Sequence, residues 1–154
     1  MTKTPSAPEA TLAIRLLGPV EIEVGGRPLE VDTRKAVALL SYVAMAGRPT
    51  SRESLAALLW PDWTDRSARS NLRNALSSLR TAIGDREAEP PYLLITRETI
   101  QFNVESDWAV DAVRLETLAA GETVEGWAEV AALYGGPFLE GFSVADAAPF
   151  GAWA

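Results

Sequence analysis

Apolar positions in this chain follow two different periods, and the switch between them falls near residue 32. From Thr11 to Val31 apolar residues alternate: Leu12, Ile14 and Leu16, then Val20, Ile22 and Val24, with Gly18-Pro19 between the two runs. Period two bounded by turn residues predicts short antiparallel strands, and Gly25-Gly26 predicts a tight hairpin into a short strand over Arg27 to Val31. From Thr33 the period becomes helical. Ala36, Leu39, Leu40 and Val43 form the stripe of a first helix to Ala46, capped by Thr33 and ended by Gly47. A second helix opens at Pro49-Thr50-Ser51-Arg52-Glu53. Thr50 and Glu53 fit a capping box, with Ser51 as the other candidate cap, and Trp60-Pro61 stops the helix.

The longest helical segment runs from Thr64 to Gly84. Leu72, Ala75, Leu76, Leu79 and Ile83 make a narrow apolar stripe, and Gly84 stands where a left-handed terminator belongs. On a wheel at about 100° per residue, the opposite face carries Ser70, Asn74, Ser77 and Thr81. Arg66, Arg73 and Arg80 line one flank, and Ser67, Asn71 and Ser78 the other. No acid occurs between Arg66 and Gly84. A solvated helix ordinarily mixes acids with bases and gains i,i+4 pairs. This one presents donors and neutral polar groups, which suits the DNA major groove.

Asp85 to Pro91 is acidic, ends in two prolines and reads as a loop. Tyr92 to Asn103 reads as a hairpin with Arg97-Glu98 at its tip and Ile100 and Phe102 inward. Beyond Asp107 two acidic helices are expected, Asp111 to Ala120 and Glu122 to Tyr134, the second with Val124, Trp127, Val130, Ala131 and Tyr134 available for packing. Gly135-Gly136-Pro137 breaks the pattern, and Pro149 to Ala154 begins another helical stretch. A helical hairpin of this kind resembles the opening of a repeat array.

Charge sharpens the division. The net charge is −7, yet residues 33–84 carry +5, residues 1–32 carry −2 and residues 85–154 carry −10. A local basic face is what matters to a polyanion, because salt screens charges beyond about 8–10 Å. Arg34 and Lys35 lie in the first turn of the first helix, where the dipole disfavours cations, and can aim at phosphate. Arg52, beside the free amides of the second helix, is a candidate phosphate anchor. Of Trp60 and Trp63, at least one is expected to pack on the core, leaving the other for DNA backbone or a protein. The chain has no Cys and no His, which excludes thiol nucleophiles, Ser-His triads and the usual zinc sites. No metal, cofactor or catalytic residue is expected. No apolar run is long enough to span a membrane, and a cytoplasmic location is expected.

These segments resemble the N-terminal part of bacterial transcriptional activators of the SARP/BTAD group. The resemblance is carried by LAIRLLGPVEIEVGGRPLEV, TRKAVALLSYVAMAGRP, SRESLAALLWPD, RSARSNLRNALSSLRTAIG, LLITRETIQFN and YGGPFLEGF, in that order. It implies an α+β fold: a flexible tail over 1–10, an OmpR-type winged helix-turn-helix over 11–104, and over 105–154 the start of a TPR-like activation domain, most of which would be missing. The winged helix would comprise an N-terminal antiparallel sheet, three helices and a C-terminal hairpin wing. The resemblance implies DNA contacts from Ser70, Asn71, Asn74, Ser77, Ser78 and Arg80 on a recognition helix over about 65–83, to which the wheel adds Arg66 and Arg73. It places Trp60 at a phosphate, Arg97 on a wing over about 92–103, and Pro61, Asp62, Trp63 and Thr64 in a loop that touches RNA polymerase.

The expectation is therefore a sequence-specific regulator of transcription on double-stranded DNA, an activator and not an enzyme, with a possible homodimer on direct repeats. Its phosphate-facing cations would be Arg34, Lys35, Arg52, Arg66, Arg73, Arg80 and Arg97. The alternative is a protein-interaction module that keeps the scaffold without binding DNA.

Overall fold

The computed structural model describes residues 11–31, 33–121 and 123–154. The expected tail and the Glu122 start of the second acidic helix lie outside the described residues. The strands are β1 (Leu12–Arg15), β2 (Glu21–Val24), β3 (Arg27–Pro28), β4 (Thr50–Ser51), β5 (Leu93–Ile95), β6 (Thr99–Phe102) and β7 (Trp108–Val110). The helices are α1 (Arg34–Ala46), α2 (Arg52–Leu59), α3 (Asp65–Ile83), α4 (Asp111–Gly121), α5 (Val124–Leu133) and α6 (Ala148–Trp153). They form two compact units, both discontinuous in sequence. One combines the strands up to Leu29 with Trp108–Phe142, and the other combines Glu30–Asp107 with Ser143–Ala154.

In the first unit the sheet order is β3-β2-β1-β7. The expected alternation holds in β1, which sets Leu12 opposite Val24 and Ile14 opposite Ile22 in antiparallel register. Leu12, Ile14 and Leu16 are buried. The third strand is shorter than the expected Arg27 to Val31. β7 has no counterpart in the sequence reading. It pairs parallel with β1, Leu12 opposite Trp108 and Ile14 opposite Val110, and so draws the chain after residue 107 into the same unit as the N-terminal strands. Asp111 fixes the junction. Its Oδ1 accepts Leu16 N and Ala112 N at 2.7 Å each, and its Oδ2 accepts Leu17 N at 3.1 Å.

The Gly135-Gly136-Pro137 break closes on the residues that follow β1. Gly18 N donates to Pro137 O at 2.9 Å and Leu139 N to Leu16 O at 2.6 Å. The backbones approach so closely that a Cβ on Gly135 would stand 2.9 Å from Leu17 O. α4 and α5 form the expected helical hairpin. Of the apolar residues expected to pack, Val124 is 83% exposed, and Trp127 and Tyr134 are half exposed or more.

In the second unit α1, α2 and α3 surround a core of Leu39, Leu40, Val43, Leu55, Leu59, Leu72, Leu79 and Ile83, all at or near zero exposure. Burial of each such side chain contributes about 1.5–3 kcal/mol. Thr33 Oγ1 caps α1 by accepting Ala36 N at 3.1 Å. Ser51, rather than Thr50, caps α2, its Oγ accepting Ser54 N at 3.0 Å. Thr50 and Ser51 are drawn into β4, which pairs with β6 in the order β4-β6-β5. The hairpin β5–β6 is thereby tied to the start of α2. α6 supplies Phe150, which is buried, and Trp153, whose ring lies 4.9 Å from that of Tyr42 on α1.

Candidate nucleic-acid interface

α3 is set by its ends and its stripe. Thr64 Oγ1 accepts Ser67 N at 3.2 Å, and Gly84, at φ 68°, returns its N–H to the carbonyls of Arg80 and Thr81. A left-handed residue without Cβ ends the helix there at no steric cost. Ala68, Leu72, Ala75, Leu76, Leu79 and Ile83 face the core. Arg66, Arg73, Asn74 and Ser77 are exposed, and Ser70, Asn71 and Ser78 are half-buried. Asn74, Ser77 and Thr81 thus lie exposed along one line of the helix, with Arg66 and Arg73 beside them. Arg69 is exposed too. The wheel passed over it because it borders the apolar stripe.

Arg80, expected at a phosphate, bonds a protein carboxylate. Its Nε donates to Asp85 Oδ2 at 2.9 Å. Asp85 is 1% exposed and its Oδ1 also accepts Tyr92 N at 2.8 Å and Leu93 N at 3.0 Å. The expected loop after Gly84 therefore begins with a 3₁₀ turn, Asp85–Glu87, whose first residue joins the end of α3 to the first strand of the hairpin. Burial, with the charges of Asp107 and Asp85 adding to it, raises the Tyr92 hydroxyl above its ordinary pKa.

Three other expected phosphate cations also hold protein groups. Arg34 Nη1 donates to Ser143 O at 3.0 Å. Lys35 Nζ donates to Leu59 O and lies 4.9 Å from the centre of the Trp60 ring. Burial lowers its pKa, while Asp146 and Asp62 pull the other way. Trp60, expected at a phosphate, is 7% exposed and packs against the core. Of the two loop tryptophans it is Trp63, 54% exposed, that faces solvent, together with Pro61, Asp62 and Thr64.

Arg52 bridges α2 and the hairpin. Its Nε and Nη2 donate to Thr96 O at 3.1 and 2.9 Å, and its backbone N to Glu98 O at 2.9 Å. Burial and then the nearby charge of Arg73 lower its pKa. The start of α2, the middle of α3 and the hairpin tip therefore converge on Arg52. The tip needs no glycine, because Thr96 Oγ1 accepts Glu98 N at 3.1 Å and Thr99 N at 2.8 Å. This turn leaves Arg97 exposed. Among the described residues, Arg66, Arg69, Arg73 and Arg97 are exposed and make no side-chain hydrogen bond or ion pair with protein. Among the described residues no group of three or more acidic, His or Cys side chains could hold a metal, and no helix is long and apolar enough to cross a membrane.

The geometry defines a class: a mixed α+β protein in which helix, short turn, long basic helix and hairpin follow one another. No family model matches the chain. Over 87 residues it is 30% identical to the transcriptional regulatory protein EmbR of Mycobacterium tuberculosis and of Mycobacterium bovis, a match covering 56% of this chain and 22% of theirs. The solved structure of Mycobacterium tuberculosis EmbR in complex with a low-affinity phosphopeptide aligns with 84% of this chain and 37% of that one, at a TM-score of 0.64 and 22% identity. The chain thus spans 22% of the length of the curated relatives it matches, and the structural likeness establishes a shared fold.

Proposed function

We propose that this chain is the DNA-binding part of a transcription regulator of the SARP type, built as an OmpR-type winged helix, with α3 in the major groove and the β5–β6 hairpin as the wing on the minor groove or backbone. The observation that carries the reading is the exposed face of α3. Asn74, Ser77 and Thr81 run along it, Arg66, Arg69 and Arg73 flank it, and no acid interrupts the helix after Asp65. Asn pairs bidentately with adenine and Ser or Thr with several bases, while arginines hold phosphates. The likeness to EmbR, a transcriptional regulatory protein, supports the same reading.

Arg66, Arg69, Arg73 and Arg97 carry the phosphate contacts in this proposal. Half-buried Ser70, Asn71 and Ser78 border the reading face, and the exposed Pro61–Thr64 loop meets RNA polymerase. α4 and α5 open a TPR-like activation domain, and two copies bind direct repeats in the cytoplasm. Anisotropy titration of duplex DNA across a salt series tests the electrostatic part. Four phosphate contacts predict a slope of log K against log salt of about −3 to −4. A slope near zero contradicts the assignment. The exposed Trp63 favours the second reading, a protein-interaction module, which predicts no DNA affinity at low salt.

A further inference from the structure

An acid lies beside the proposed reading face, supplied from outside α3. Glu30, exposed on the segment that leads into α1, lines one open groove with Asn74, Ser77, Ser78, Thr81 and Ala82. The groove runs along the C-terminal half of α3. The exposed cations of the helix, Arg66, Arg69 and Arg73, all precede it in sequence, and Arg80 is held by Asp85. Arg86, the nearest following base, donates to the Thr81 hydroxyl at 3.1 Å. Among the described residues no cation forms an ion pair with Glu30.

A carboxylate in this position has one productive partner on duplex DNA. Phosphates repel it, and the acceptors of guanine and thymine offer it no proton. The major groove presents donors to it only at the exocyclic amino groups, N4 of cytosine and N6 of adenine. The polar groups that share the groove, Asn74, Ser77, Ser78 and Thr81, are neutral and bring no charge to offset that of Glu30. We infer that Glu30 is a specificity-determining residue, its carboxylate accepting a hydrogen bond from the exocyclic amino group of a single base. That base stands opposite the C-terminal half of α3. The inference rests on the proposed docking of α3 in the major groove.

The test compares the intact chain with Glu30→Ala in selection from random duplexes, followed by affinities for the selected site with each base pair at each position. Glu30 is exposed, so the substitution leaves the core untouched. The expected result is that the wild type selects a motif and that Glu30→Ala loses about tenfold discrimination at one position and none elsewhere. A C·G preference lost there identifies cytosine as the partner, and an A·T preference lost there identifies adenine. An unchanged profile overturns the inference, as does a uniform gain in affinity for all sequences, which would reduce Glu30 to a charge that repels phosphate. A wild type that selects nothing overturns the docking of α3 itself, an outcome separate from the Glu30 result.

Discussion

Removing the Asp85 carboxylate tests how α3 is held. Asp85→Ala deletes the acceptor for Tyr92 N and Leu93 N, both in buried hydrogen bonds, and for Arg80 Nε. Each buried amide left without a partner costs about 1–3 kcal/mol. The Arg80 side chain is 30% exposed and regains water when released, so its ion pair adds little. The expected loss is about 4 kcal/mol, a large part of the ~5–15 kcal/mol that stabilises a domain. With a urea slope of about 1–3 kcal/mol per molar, the midpoint falls by about 2 M. Asp85→Asn keeps a carbonyl oxygen for the two amides but replaces the oxygen that accepts Arg80 Nε with an amide donor, so the bond to Arg80 is lost with the charge and about 1–2 kcal/mol is expected. Urea unfolding followed by circular dichroism reads both. A loss below about 0.5 kcal/mol for the alanine variant, or equal losses for the two variants, refutes the view that this carboxylate is the clamp between helix and hairpin.

Asn74→Ala is expected to change the preferred sequence at about 1–3 kcal/mol for the lost base contact, read by affinities for single-base variants of the selected site. Arg73→Ala should weaken binding to all sequences alike and reduce the salt slope by about one unit, whereas Arg80→Ala should leave the slope unchanged because its guanidinium holds Asp85. Trp63→Ala should shift stability by less than about 0.5 kcal/mol and leave DNA affinity unchanged, while reducing transcription by purified polymerase from a template carrying the selected site. Gly135→Ala places a methyl 2.9 Å from Leu17 O, and a loss of about 1–3 kcal/mol in urea unfolding is expected from such overpacking.

Elements with a clean period were legible from the chain. The stripe and caps of α1 and α3 placed both helices to within a residue, since apolar spacing and terminal residues report the same local physics. The hairpin β5–β6 was legible for the same reason. What escaped depends on pairing across long stretches of chain. β7 is three residues, Trp108–Val110, and only its partner β1 makes it a strand. Hence two discontinuous units stand where a single boundary near residue 104 was expected.

The site was legible as a face and less so as a set of residues. The acid-free side of α3 could be read from spacing. The partners of the cations could not, because a helical wheel does not see Asp85 Oδ2, Thr96 O or Leu59 O approaching Arg80, Arg52 and Lys35 from other elements. Four of the seven cations expected at phosphates, Arg34, Lys35, Arg52 and Arg80, bond protein groups. The place of Glu30 on the groove beside Ser77 was not legible for the related reason that nothing in the local sequence connects the two residues.

The most direct measurement is selection of random duplex DNA on the intact chain followed by sequencing. Enrichment of one shared motif, repeated in direct orientation at fixed spacing, is the predicted result, and the half-site spacing would give the geometry of the two copies. Recovery of sequences with no shared motif, at a salt concentration where the chain still retains DNA, would contradict the claim that α3 reads base edges.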